Sequence, residues 1–299
     1  MQFNHAGELA ALAVAFFWTI TALSFESASN KVGSLAVNLI RLLFGFFFLS
    51  TFSFFYRGHI FPDDAGLNQW LWLSLSGLIG FVLGDLCLFK SFTVIGSRIA
   101  MLIMTLVPPI TAALGFIFLG EKLTLFNFIG MTLTVAGIFT AIFSRASQGE
   151  KLKLNMPVKG FLLALGGAVG QALGLVLSKK GMGNYDPFAA TQIRVITGIL
   201  GFAGLVLILG RGEQIRNAFR HKLGMRGIVI GSFFGPFLGV SFSLLSVKYT
   251  ETGIASTIMA LVPIFIIAPS VLIFKQKVTL REIIGAVISV TGVALFFIG

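Results

Sequence analysis

Long apolar runs joined by short polar connections fill almost the whole sequence. Ten such runs can be delimited, at residues 7–27, 35–55, 70–91, 97–119, 124–143, 158–178, 187–209, 227–247, 253–274 and 279–298. Each is close to the ~20 residues that an α-helix needs to cross the hydrocarbon core of a bilayer. The runs lack the strict alternation that marks the strands of a membrane barrel. The pattern predicts an all-α integral membrane protein with ten transmembrane helices, called spans 1 to 10.

The second half of the pattern is a copy of the first. Residues 99–108 read IAMLIMTLVP and residues 254–263 read IASTIMALVP, with seven of the ten positions identical. The predicted repeats are residues 1–145 and 146–299, with five spans in each. A unit with an odd number of spans that is followed by its own copy must place that copy upside down in the membrane. The sequence therefore predicts two inverted-topology five-helix repeats, an architecture of secondary transporters.

Composition supports the membrane assignment and excludes several other classes. The chain has 299 residues, of which 56% are hydrophobic and 11% charged, whereas a soluble domain carries about 25% charged residues. The single cysteine, Cys87, excludes an internal disulfide, and His5, His59 and His221 all lie outside the spans. We therefore expect no metal, no cofactor and no enzymatic activity. An intramembrane enzyme would need a nucleophile and a base at membrane depth.

The net charge of +11 indicates membrane topology rather than nucleic-acid binding, because the basic residues lie mostly between the spans. Five of them, at positions 57, 122, 179, 180 and 248, lie on the side of the termini, and fifteen lie on the opposite side. The positive-inside rule then predicts that both termini lie outside the cytoplasm. Between spans 7 and 8, Ile215, Phe219 and Leu223 recur at a helical spacing, which predicts either a short amphipathic surface helix or a basic loop.

Several short motifs resemble those of one transporter family. They are the LVP triplet in each copy, the GEK turn at residues 120–122, and a glycine-rich last span, in which Gly130 aligns with Gly285 and Gly137 with Gly292. With the five-span repeats, they resemble the EamA-type branch of the drug/metabolite transporter superfamily. The resemblance implies ten helices around a central cavity, with large contributions from spans 3, 4, 8 and 9. It also implies transport of small metabolites such as amino acids, nucleosides or drugs, and termini in the cytoplasm. The orientation thus stays open.

Five ionisable residues of the first repeat lie within or at the ends of spans: Glu26, Arg41, Asp85, Lys90 and Arg98. Such residues cost about 2.5–3.5 kcal/mol at the centre of a span, so they normally face a cavity or a partner. Following the chain up and down places all five toward one membrane side. Asp85 or Glu26 is predicted to bind a proton or a cationic group of the substrate. The alternative is that these carboxylates neutralise the basic residues in buried ion pairs.

The second repeat differs in its charges, since Asp85 aligns with Val240 and Glu26 with Lys179. Arg41, however, aligns with Arg194. Two such arginines could each bind a substrate carboxylate or phosphate, or they could hold span 2 and its counterpart in place.

Pro108, Pro109 and Pro263 fall in the middle of spans 4 and 9, where proline predicts kinks that line a substrate path or merely bend the helix. Trp18 aligns with Gln171 near the middle of spans 1 and 6. Trp18 could stack on a flat substrate or pack in the core. Two GxxxG pairs in spans 3 and 8 predict close helix packing: Gly80 with Gly84, and Gly235 with Gly239.

Together these features predict a secondary transporter, an exporter or an exchanger, of small organic metabolites. The cavity would lie between spans 1–4 and 6–9 of a multi-pass protein in the inner or plasma membrane. Substrate, membrane lipids and a coupling proton are the expected partners, nucleic acid is not, and we expect a monomer or weak dimer. No nucleotide-binding loop of the GxxxxGK[ST] type occurs in the chain. A membrane receptor or scaffold without transport activity is the alternative.

Overall fold

A computed structural model describes residues 5–147, 157–265 and 279–297, and every regular element among them is helical. The elements of the first repeat are α1 (Ala6–Val32), α2 (Ser34–Arg57), α3 (Leu67–Gly77), the π-helix π1 (Leu78–Gly84), α4 (Asp85–Met104), α5 (Val107–Leu119) and α6 (Leu125–Ser147). Those of the second are α7 (Val158–Met182), α8 (Pro187–Ile208), α9 (Gly212–Arg220), α10 (Lys222–Ser232), the π-helix π2 (Phe233–Gly239), α11 (Val240–Tyr249), α12 (Thr252–Met259), α13 (Val262–Phe265), α14 (Leu280–Ala294) and a 3₁₀ turn (Leu295–Phe297).

Among the described residues, six helical segments are long and apolar enough to cross a membrane: Ala6–Ser29, Ser34–Arg57, Leu67–Leu88, Val158–Met182, Pro187–Ile208 and Lys222–Tyr249. Shorter apolar helices lie at Val107–Leu119, Leu125–Thr140 and Ile283–Ala294. Large apolar side chains remain on the outside, for example Phe55 at 81% and Ile208 at 82% exposure. Such a surface is suited to contact with lipid. The chain is thus a multi-pass membrane protein, and the number of ten spans stays a prediction.

The predicted division between spans 3 and 4 is one place where the structure differs. Residues 67–104 are helical without interruption, and the break comes later, at Thr105 and Leu106. Pro108 lies in the first turn of α5, where its missing N–H needs no partner. Pro108 and Pro109 therefore follow a break in the helix rather than kinking it. In the second repeat α12 ends at Met259, and Pro263 lies in α13; the rest of predicted span 9 lies outside the described residues.

The two π-helices occupy equivalent positions in the two repeats. Each spans seven residues and contains one GxxxG pair, Gly80 and Gly84 in π1 and Gly235 and Gly239 in π2. A π-helix adds a residue to the helical turn and changes the face on which the following residues lie, and such segments occur frequently at functional sites. Asp85 follows π1 directly.

Glycines let the helices of one repeat pack closely on those of the other. A Cβ atom on Gly170 of α7 would lie 2.8 Å from Gly84 Cα, and one on Gly174 would lie 3.0 Å from Gly80 Cα. The corresponding contact places α1 on π2, with Thr21 against Gly235 and Trp18 against Gly239. The two repeats are therefore interleaved, because α7 packs on the first repeat and α1 on the second.

The last helices of the two repeats, α6 and α14, also pack on each other. A Cβ on Gly130 would lie 2.8 Å from Gly292 O, and one on Gly137 would lie 2.6 Å from Gly285 O. These pairs run in opposite order along the two helices, so α6 and α14 are antiparallel. Since they are equivalent elements of the repeat, their antiparallel arrangement is what an inverted repeat requires.

The packing predicts opposite effects of the same substitution at two glycines. Gly170→Ala should lower the melting temperature of the detergent-purified protein, because overpacking a close backbone contact costs about 1–3 kcal/mol. Gly204→Ala in α8 should leave it unchanged or raise it, because no atom lies within 4 Å of a Cβ there and alanine favours helix by about 1 kcal/mol. Differential scanning fluorimetry measures both. Equal melting temperatures for the two variants would contradict this account of the packing.

Candidate functional site

An ion pair between Arg41 of α2 and Asp85 of α4 lies inside the helical assembly. Arg41 is 8% and Asp85 6% exposed. A charge buried at this depth is tolerated only with a partner, because removing it from water costs several kcal/mol. The structure thus joins two of the five ionisable residues singled out in the first repeat, in the arrangement of a neutralising pair. The pair bridges the π1–α4 junction and α2.

Gln171 and Arg194 of the second repeat lie near this ion pair. We call Arg41, Asp85, Gln171 and Arg194 the central cluster. Gln171 Nε2 of α7 lies 3.5 Å from Asp85 Oδ1, at the outer limit of a hydrogen bond. Arg194 of α8 interacts with Asp85 electrostatically without an ion-pair contact. The close approach of α7 to π1 at the glycines brings these residues together. The cluster thus combines side chains from both repeats around one carboxylate.

The guanidinium of Arg194, on α8, lies against π1. Its centre lies 4.8 Å from the ring centroid of Phe81, and a Cβ on Gly80 would lie 3.3 Å from its Nη2. Gly77 packs against the backbone of Arg194. Arg194 is only 6% exposed, and its Nε has no hydrogen-bond partner among the described residues. The cluster therefore contains a buried donor that no described group satisfies.

The other predicted residues lie outside the central cluster or cannot be placed in it. Lys90 is exposed on α4. Trp18 is half-buried and lies against Gly239, in the contact between α1 and π2. Glu26 lies on α1 and Arg98 on α4, but their side chains are outside the description, as is that of Pro263.

A polar network on the membrane side of the termini was not foreseen from the sequence. Glu121, in the turn after α5, accepts a hydrogen bond at Oε1 from Lys179 Nζ of α7, at 2.7 Å. Its Oε2 accepts from the Thr252 amide at 2.9 Å and hydroxyl at 2.6 Å. Lys179 also donates to the Thr250 carbonyl, and the Thr250 hydroxyl donates to Glu8. We call Glu8, Glu121, Lys179, Thr250 and Thr252 the terminal-side network.

A second set of contacts links the loops on the same side. Arg57 pairs with Asp64, and the Tyr185 hydroxyl donates to Asp64 Oδ1 at 2.7 Å. Lys248 donates to the carbonyl oxygens of Asn184 and Tyr185. Partial burial and the hydrogen bond to Asp64 raise the pKa of Tyr185 above its ordinary value. Burial alone would raise the pKa of Asp64, but hydrogen bonds from Tyr185 and Arg57 outweigh it, so this pKa lies below its ordinary value.

The opposite side carries an open cleft of about 490 Å³ between the end of α1 and α9. Lys31, Arg211, Gln214 and His221 are among its lining residues, and no member of the central cluster lines it. The helix α9 matches the predicted amphipathic segment only in part, because it ends at Arg220 and Leu223 belongs to α10. The two sets of polar contacts thus lie on the side of the termini, and the open cleft lies on the opposite side.

Comparison with known proteins identifies the family. The model of the EamA-like transporter family matches residues 5–143 and 158–298, once in each repeat. The chain belongs to the EamA-like transporter family. An uncharacterized transporter of Buchnera aphidicola subsp. Schlechtendalia chinensis is 24% identical over 259 residues, which cover 84% of this chain and 79% of the relative. The uncharacterized transporter YvbV of Bacillus subtilis is 26% identical over 189 residues, covering 63% and 59% of the two chains.

A solved crystal structure shares the fold over nearly the full length. It has a TM-score of 0.75 and 16% identity, and the match covers 99% of this chain and 97% of that one. For this EamA-like transporter, the resemblance noted in the sequence is confirmed by the family match. In the part of the chain that the structure describes, no group of three or more His, Cys, Asp or Glu side chains could hold a metal ion.

The central cluster predicts unequal effects of removing its charges. Asp85→Asn should lower the yield of folded protein and its melting temperature, because it removes the carboxylate that faces both arginines, and breaking a buried pair costs about 3–5 kcal/mol. Arg41→Gln should cost less, because Arg194 remains as a counter-charge for Asp85. The double variant Arg41→Gln/Asp85→Asn should be more stable than Asp85→Asn alone, because it also removes one of the two unneutralised arginines. Size-exclusion profiles and melting curves test the order, and a fully stable Asp85→Asn protein would refute it.

The contacts of Asp64 with Arg57 and Tyr185 predict how the stability of the fold changes with pH. A carboxylate with a lowered pKa stabilises the fold above its unfolded value of ~3.9 and loses this contribution as the pH falls through its folded value. Asp64→Asn should therefore lower the melting temperature by the same amount at pH 6 and pH 8. The difference should shrink below about pH 4. If the difference in melting temperature between wild type and Asp64→Asn grew on acidification, a titratable group other than Asp64 would control these contacts.

Proposed function

We propose that this EamA-like transporter is a secondary transporter of small organic metabolites, with ten spans in two inverted repeats and alternating access to a central site. The observation that carries the proposal is the central cluster, where charged and polar side chains from both repeats meet inside the helical assembly. Buried charges of this kind mark substrate and ion pathways in membrane proteins. The names of the relatives, which describe transporters, support the same reading.

The location of the cluster fits this role. It lies beside π1, where helical hydrogen bonding is altered, and at the contact between α7 and the first repeat. Sites of secondary transporters lie at the interface of the repeats and use interrupted helices. The same α7 carries Gln171 in the cluster and Lys179 in the terminal-side network. A movement of α7 would therefore change the central site and the closure of one membrane side together.

The moving units must contain helices from both repeats. Because α1 packs on π2 and α7 packs on π1 through close contacts at glycines, a rotation of residues 1–145 against 146–299 would separate these contacts. We therefore propose that alternating access moves mixed groups of helices, with the terminal-side network breaking in one state. Exchange or export both agree with this scheme, and Asp85, engaged by Arg41, could take part in proton coupling only if that pair opened.

Transport by purified protein in liposomes tests the proposal. Uptake and counterflow of labelled amino acids, nucleosides, organic acids and organic cations would be measured with and without a pH gradient. We expect flux of at least one class, and accumulation that follows the gradient would add protons to the mechanism. Arg216→Gln, an exposed change on α9, is the control and should transport normally. Ligand binding without any flux would favour the receptor alternative and contradict the proposal.

The terminal-side network predicts a change in accessibility when it is broken. In a Cys87→Ser background, the buried Ser256 of α12 is replaced by cysteine, and labelling by a membrane-impermeant maleimide is measured. Glu121→Gln should raise the labelling rate severalfold, because it weakens the bond to Lys179 and frees the start of α12. Cysteine at the exposed position of Lys122 is the matched control and should label equally in both backgrounds. Unchanged labelling at position 256 would contradict a closing role.

A further inference from the structure

Arg194 is an unsatisfied buried cation of the central cluster. It is 6% exposed, and no carboxylate among the described residues lies within ion-pair distance of it. Its Nε lacks a hydrogen-bond partner there as well. Asp85, the carboxylate that faces it, forms its ion pair with Arg41 instead. A buried guanidinium in this state is unfavourable unless a further negatively charged group neutralises it.

The guanidinium of Arg194 contacts an aromatic ring and a glycine rather than a hydrogen-bond acceptor. The centre of the guanidinium lies over the ring of Phe81, a contact that does not satisfy its N–H groups. Glycine at position 80 lets the guanidinium pack closely on π1, since a Cβ there would lie 3.3 Å from Nη2. On the same helix, Gln192 Nε2 donates to Ser50 Oγ at 2.9 Å and to the Ile60 carbonyl at 2.7 Å. The amide donor of Gln192 thus finds acceptors in the protein, whereas Arg194 Nε finds none among the described residues.

We propose that Arg194 binds the carboxylate of the transported substrate, so that the substrate class is small organic monoanions. This inference rests on the proposed transport function and deepens it. The planar N–H edge of arginine matches a carboxylate in a two-point hydrogen bond. A monoanion neutralises the one guanidinium, whereas a phosphate dianion would bring an excess negative charge next to Asp85. Arg41, the residue that aligns with Arg194, does not bind the substrate in this way, because its guanidinium already pairs with Asp85.

Binding to the detergent-purified protein tests the site independently of transport. The probes are lactate and benzoate, with lactamide and benzamide as neutral analogues of the same shape and inorganic phosphate as the competing anion. We expect one or both carboxylates to raise the melting temperature and the amides to leave it unchanged. Arg194→Gln should weaken carboxylate binding at least tenfold, and Arg216→Gln should not weaken it. Equal stabilisation of wild type and Arg194→Gln, or stabilisation by phosphate alone, would overturn the inference.

The stability of the variants separates a binding role from a structural one. Without ligand, Arg194→Gln should fold as well as the wild type or better, because it removes an unpaired buried charge. Arg194→Lys keeps the charge but loses the planar edge, so it should bind carboxylates more weakly than the wild type. If Arg194→Gln fails to fold while Arg194→Lys folds and binds carboxylates as tightly as wild type, two-point binding by arginine is refuted.

Liposome flux distinguishes failure of this inference from failure of the proposed function. Flux of a carboxylate that is lost in Arg194→Gln supports both. Flux of a neutral or cationic compound that Arg194→Gln retains would refute the carboxylate assignment and leave transport standing. Arg194-dependent binding of a carboxylate without flux of any probe would refute transport and retain the anion site.

Discussion

The close backbone contact of α7 with π1 is the constraint on which the rest of the structure depends. With glycine at positions 80, 84, 170 and 174, the two helices approach until a single Cβ would collide with the opposing backbone. Apolar burial drives helix association weakly within a bilayer, so van der Waals contact at small residues must supply much of the stabilisation. That contact fixes the position of Gln171 relative to Asp85. The position of Arg194 is set by a similar contact, since a Cβ on Gly77 of α3 would lie 2.6 Å from Arg194 O.

The scaffold is symmetric, but the chemistry at its centre is not. The π-helices, the glycine pairs and the two arginines recur in both repeats, whereas Asp85 is replaced by Val240 in the second. One of two equivalent arginines therefore has a counter-charge in contact with it and the other does not. The two repeats thus build similar scaffolds, and the single carboxylate makes their electrostatics different.

Much of this arrangement could be predicted from the sequence, because it follows from periodicity and composition. Apolar runs and a copied segment gave the helical membrane class and the family, and neutralisation of Asp85 by a basic residue was one of two alternatives considered. The π-helices could not be predicted, since a GxxxG pattern does not distinguish the i→i+5 hydrogen bonds of a π-helix from the i→i+4 bonds of an α-helix. Glu121 and Lys179 are 58 residues apart, and no spacing or motif in the sequence indicates that they meet. Pro108 was expected to kink a helix, but its position beside Leu106 instead marks where a new helix begins.

The interleaving of the repeats has a consequence for biosynthesis. Helices enter the membrane in chain order, so α3 and π1 are inserted while α7 has yet to leave the ribosome. Their glycine face must remain against lipid or a chaperone until residues near Met182 have been made. Arg41 and Asp85 can meet early, since both belong to the first repeat, and their pairing would shield two charges during that interval. The first repeat therefore reaches its final packing only after α7 of the second repeat has been inserted. The nascent chain is most exposed to misfolding before that insertion.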